Sequence, residues 1–132
     1  METMIKRILV IDDEEGCRDA FILALEDADF DIDTAENGLI GIEKAKANPP
    51  DLVFLDLRMP KMDGIHTLQE LRGFMADVPI YIVTAFYPQF TDQLKQAQED
   101  GYVFELMQKP LGADQIIEVV NGALAGQNAA VT

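Results

Sequence analysis

Five residues could do chemistry together if the chain folded them onto one spot. Asp12 and Asp13 are paired carboxylates, Asp56 is a third, Thr84 carries a hydroxyl and Lys109 an ammonium. Singly, each has an ordinary explanation. Paired Asp residues cap helices or shape turns; an Asp can simply end a strand; a Thr satisfies its hydroxyl locally; a Lys before Pro110 is solvated. Together they describe something narrower. Clustered carboxylates repel and raise one another's pKa, so the group is costly without a counter-cation. A small set of oxygen ligands, with room left for water and a phosphate oxygen, suits Mg²⁺ better than a caged Ca²⁺. Metal and lysine to absorb charge, with a positioned carboxylate nucleophile, are what phosphoryl transfer requires.

The elements that must position these residues alternate regularly. Ile5 to Ile11, Leu52 to Leu55 and Val78 to Val83 are compact apolar runs, expected as buried strands. Phe30 to Ala35 alternates with Asp31 and Asp33 and is expected as a strand with one wetter face. Tyr102 to Met107 is expected as the fifth strand. Between them lie helical patterns: Cys17, Phe21, Ala24 and Ala28; Leu39, Ile42 and Ala45; Ile65, Leu68, Leu71 and Met75; Phe90, Leu94 and Ala97, from about Pro88 to Asp100; and Ile116, Val120 and Leu124. Asn37-Gly38 turns the chain and Pro49-Pro50 stops the second helix. Five such β-α units imply a parallel sheet with helices on both faces. Ligands of these sheets bind beyond the carboxyl ends of the strands. Asp12-Asp13, Asp56, Thr84 and Lys109 all stand at or just past those ends.

Composition limits the alternatives. The 132 residues carry 24 acidic and 10 basic side chains, a formal net charge of -14. That length suits one domain, expected over residues 1–126, with a small polar tail at 127–132 expected to fray. The negative charge argues against direct nucleic-acid binding, which depends on neutralising phosphates. It favours basic partners or divalent cations. No apolar run approaches the roughly 18 residues of a membrane span, and no secretory leader is visible. Cys17, the single cysteine, excludes an intramolecular disulfide. A cytoplasmic location is expected.

With these residues in view, the sequence strongly resembles the receiver domain of two-component response regulators, the CheY-like superfamily. The likeness rests on Ile8-Leu9-Val10-Ile11-Asp12-Asp13-Glu14, on Asp56-Leu57-Arg58-Met59-Pro60-Lys61-Met62-Asp63-Gly64, on Thr84-Ala85 and on Lys109-Pro110, and it covers about residues 5–125. The resemblance implies a flavodoxin-like, doubly wound (βα)5 fold with strand order 2-1-3-4-5. It implies that Asp56 accepts a phosphoryl group from a phosphohistidine of a partner histidine kinase or phosphotransfer protein. Asp13 and Asp56 would ligate Mg²⁺ directly, the Arg58 carbonyl would be a third ligand, and Asp12 would act through water. Thr84 and Lys109 would contact the phosphoryl group. Lys109-Pro110 would be cis, an isomer that proline makes accessible. Phosphorylation would shift a two-state equilibrium read by a separate effector on the face of helix four, strand five and helix five. The chain would be a monomer or a phosphorylation-dependent dimer.

The sequence departs from the family pattern in two places. Many receivers carry Tyr or Phe three residues before the lysine, where this chain has Leu106; Tyr102 and Phe104 share its strand parity. The stretch from Gly101 to Lys109 is one residue longer than usual, so a bulge is expected. Arg58 and Phe86 stand two positions after Asp56 and Thr84, where family members differ in dephosphorylation rate. Their bulk is expected to hinder the attacking water. Phosphoryl decay, followed after donor removal, should therefore be faster in Arg58→Asn than in wild type; equal rates would remove this expectation.

Other residues read as structural. Cys17 belongs to the apolar stripe of helix one and His66 to the surface of helix three. Phe86, Tyr87 and Phe90 suit both packing under helix four and a partner surface, and Gln89, Gln93, Gln96 and Gln98 make that helix polar with little charge. Two other functions share parts of this pattern. Haloacid-dehalogenase-like phosphohydrolases also use a strand-end Asp, but place a second Asp two residues later, where this chain has Arg58, and carry a cap domain. A pseudo-receiver would bind partners without phosphorylation, against which the intact acidic pocket argues. The expectation is a non-enzymatic signalling switch with no output module in this chain.

Overall fold

The computed structural model describes residues 5–57, 59, 62–85 and 91–129, with side chains described as far as Leu124. The strands are β1 (Lys6–Ile11), β2 (Phe30–Ala35), β3 (Leu52–Leu55), β4 (Ile80–Thr84) and β5 (Glu105–Gln108). The helices are α1 (Glu15–Leu25), α2 (Gly38–Ala47), α3 (Gly64–Arg72), α4 (Thr91–Glu99) and α5 (Ala113–Ala129). All four strand pairings are parallel, in the order β2-β1-β3-β4-β5.

The central strands are buried on both faces, which is why they read as uninterrupted apolar runs. Their side chains divide by parity. Leu9, Ile11, Val53 and Leu55 face a core completed by Ile42 and Ala45 of α2, Leu68 and Leu71 of α3, and Leu94 and Ala97 of α4. Ile8, Val10, Leu52 and Phe54 face the other way, onto Phe21 and Leu25 of α1 and Ile116, Val120 and Leu124 of α5. Phe54 anchors this second layer, with its ring 4.7 Å from Phe21 and 5.7 Å from Tyr81. Among the described residues, two helices start on side-chain caps: Asn37 accepts from the Ile40 amide at 2.9 Å and Asp63 from the His66 amide at 2.8 Å.

Three local expectations differ from the structure. The α1 stripe runs through Phe21 and Leu25; Cys17 is only half-buried, and Ala28 lies past the helix end and is exposed. The fifth strand begins at Glu105, not Tyr102, because residues 101–104 serve as the exit from α4. Gly101 takes φ +95°, a conformation that side chains disfavour, and the Tyr102 amide donates back to Ala97 O. Arg72 holds this exit to the end of α3, donating to the carbonyls of Val103 and Val78, each at 2.7 Å. Phe104 and Tyr102 still pack on the same core layer as Leu106, but from the connection and not from the strand. The expected bulge is absent from the strand: β4 and β5 pair without interruption from Tyr81↔Glu105 to Thr84↔Gln108. At the C-terminus, α5 runs to Ala129.

Candidate functional site

Backbone hydrogen bonds just past the strand ends fix the site residues relative to one another. The Asp12 amide donates to Ala35 O of β2, the Asp56 amide to Ile11 O of β1 and the Lys109 amide to Thr84 O of β4, at 3.0, 2.9 and 3.1 Å. The sheet ladders thus continue one residue beyond the strands, and the carboxylates inherit their rigidity. The Lys109–Pro110 peptide is cis.

Asp12 turns back on itself, its Oδ1 accepting from the Glu14 amide at 2.9 Å, while Arg18 donates to its carbonyl at 2.7 Å. That turn leaves Asp13 exposed and starts α1. Asp12 and Asp56 are almost wholly buried, with side chains 3% and 5% exposed. Between them sits the Lys109 ammonium, 2.8 Å from Asp12, 3.1 Å from Glu14 and 3.6 Å from Asp56. Burial alone would push the lysine's pKa down. The hydrogen bond to Asp12 and the charges of Asp56 and Asp12 outweigh that and raise it. The Lys109 ammonium, hydrogen-bonded to Glu14, holds the Glu14 carboxyl below its usual range.

Carboxylate oxygens of Asp12, Asp13, Glu14 and Asp56 lie within 4.8 Å of one another. An all-oxygen, anionic donor set of this size fits a hard divalent cation. Thr84, the last residue of β4, is completely buried beside the Lys109 backbone. Four of the five sequence-derived candidates therefore gather around the pocket by measured contacts, and Thr84 joins them through its strand end. Arg58, the remaining metal-ligand candidate, lies outside the described residues, as do Phe86, Tyr87, Gln89 and Phe90. His66 is exposed on α3, as expected.

Glu14 is the residue that sequence reasoning passed over. It counted only as part of a motif, and an exposed acid at a helix start gives no signal that a lysine 95 positions away will meet it. Cys17, which donates to Glu14 at 3.6 Å, lines a cavity of about 410 Å³ with Phe21, Val83, Lys109 and Ile116. Burial and the Asp12 charge push its thiol up, away from the reactive thiolate.

Fold and pocket together define a class, and comparison with known proteins agrees. The family model of the response regulator receiver domain matches residues 8–121, and the chain belongs to that family. It is a CheY-like receiver domain of a two-component system, with nearly all of its length in that domain. The chemotaxis protein CheY of Halobacterium salinarum is 36% identical over 121 residues, covering 89% of this chain and 98% of that one. The regulatory protein AtoC of Escherichia coli is 32% identical over 96% of this chain, but the match spans only 27% of AtoC. Among solved structures, a CheY-like receiver domain protein from Methanospirillum hungatei superposes with a TM-score of 0.85 at 20% identity, covering 96% of this chain and 99% of that one, a likeness of fold. A receiver domain protein from Clostridium thermocellum gives 0.80 at 26% identity, with 96% and 99% covered. Receiver domains are signalling proteins that work with histidine kinases or phosphotransfer proteins. Among the described residues, no helix is long and apolar enough to cross a membrane.

Proposed function

We propose that this chain is a phosphorylatable switch whose phosphoacceptor is Asp56. The observation that supports it best is the Asp12–Lys109–Asp56 arrangement at the ends of three different strands. An Asp56 carboxylate oxygen attacks the phosphorus of a phosphohistidine on a kinase or phosphotransfer partner. An O–P bond forms, the P–N bond breaks, and the imidazole leaves with the bonding pair. Lys109 pairs with a phosphoryl oxygen and the Thr84 hydroxyl donates to another. Asp12, Asp13 and Asp56, with the Arg58 carbonyl, would hold Mg²⁺, which when bound supplies neutralisation of the charge that develops on the transferring group. The added phosphoryl charge shifts the face of α4, β5 and α5 toward its signalling state, and a separate effector protein reads it.

Incubation with acetyl phosphate and Mg²⁺ tests this reading. The expected result is uptake of one phosphoryl equivalent with slow turnover, and a melting temperature that rises with Mg²⁺ by mass action. Many turnovers per chain would indicate a hydrolase instead. No uptake and no Mg²⁺ response would indicate a pseudo-receiver.

A further inference from the structure

The Lys109 ammonium does not sit symmetrically among its carboxylates. It is within hydrogen-bond distance of Asp12 at 2.8 Å and Glu14 at 3.1 Å, and stands 3.6 Å from Asp56. Asp12 is buried, and its own turn fixes the carboxylate in place. Glu14 differs: its side chain is 64% exposed and it approaches from the start of α1. An exposed ion pair is weak and easily exchanged for another partner.

We propose that Glu14 is a positioning residue for Lys109. It holds the ammonium on the α1 side of the pocket, competing with Asp56 and with any phosphoryl oxygen on it. This rests on the reading of Asp56 as phosphoacceptor. The competition slows phosphoryl uptake and phosphoryl loss to water alike, because Lys109, which absorbs charge on the transferring group in both, divides its time between Glu14 and that group. Weakness is part of the device: a strong contact would keep the lysine from reaching the phosphoryl group at all. The contact also needs the length of glutamate, since an aspartate is one methylene shorter and would fall short of Nζ.

Three variants test this in the full chain: Glu14→Gln, Glu14→Asp and, as a control, Glu15→Gln, whose carboxylate is not among the ion-pair partners of Lys109. After acetyl phosphate and Mg²⁺ loading and donor removal, phosphoryl decay should quicken about two- to five-fold in both Glu14 variants and stay unchanged in Glu15→Gln. In the metal-free protein, NMR relaxation of the Lys109 side chain should show it more mobile in both Glu14 variants. If Glu14→Asp behaves as wild type, local charge and not positioning is responsible, and the proposal is overturned. Loss of Mg²⁺ binding in Glu14→Gln, beyond the modest weakening that removal of a nearby charge gives by itself, would make Glu14 a metal ligand and overturn it as well. Uptake by wild type with identical decay in all variants overturns this inference alone. No uptake by wild type overturns the phosphoacceptor reading and this inference with it.

Discussion

Lys109→Met is expected to destabilise the metal-free protein by about 3 kcal/mol, read from urea denaturation at neutral pH. The variant keeps the length of the side chain and removes its charge. Asp12 and Asp56 then remain buried near one another without their shared ammonium, and stranding buried charges in this way costs about 3–5 kcal/mol. The lower end applies because the pocket opens toward Glu14 and solvent. The direction with pH follows from the raised pKa of Lys109. Its stabilisation is complete below the unfolded-state value of 10.5 and is lost as pH rises through the higher folded-state value. The difference between wild type and variant should thus stay flat from neutral pH to about 10 and shrink only in strong alkali. Mg²⁺ should stabilise the variant more than wild type, and Asp56→Asn should stabilise the metal-free protein and rescue Lys109→Met. A loss below about 1 kcal/mol would mean these contacts are worth no more than surface ion pairs.

Gly64→Ala is expected to cost about 2 kcal/mol or more and to impair phosphorylation with it. Gly64 opens α3, and its amide donates to Leu57 O at 2.9 Å. A Cβ there would lie 2.5 Å from the Asp56 carbonyl oxygen and 2.6 Å from Leu57 Cα. Both are backbone atoms, so no side-chain rotation relieves the clash, and such overpacking costs about 1–3 kcal/mol. What must yield is the segment that carries Asp56. Gly122→Ala is the matched control. A Cβ at that exposed position of α5 meets nothing within 4 Å. That variant should gain about 0.5–1 kcal/mol from helix propensity. Denaturation midpoints and acetyl phosphate uptake, measured side by side, check both. Unchanged stability in Gly64→Ala would show that the β3–α3 connection is looser than its contacts indicate.

The sheet and the strand-end residues were legible because both follow from one physical constraint. A parallel strand buried on two faces must be apolar throughout, so polar residues such as Asp12, Asp56 and Thr84 fall where the run stops. The misplaced start of β5 marks where that logic fails. Tyr102 and Phe104 are apolar because they cover the core, and covering the core does not require a ladder. The α1 stripe went astray for a related reason: Leu25 fills the position that the pattern gave to Ala24 and Ala28, and the helix then ends. Glu14 and Arg72 were invisible. Their partners lie 95 and 31 positions away, and no local period encodes a contact between a flexible side chain and a distant atom.

Peptide-level mass spectrometry after loading with acetyl phosphate and Mg²⁺, with the acyl phosphate trapped by borohydride reduction, tests the central assignment most directly. One modified site is expected, Asp56, with no modification in Asp56→Asn. A phosphoryl group found on Asp12, Asp13 or His66, or undiminished labelling of the Asn variant, would contradict it.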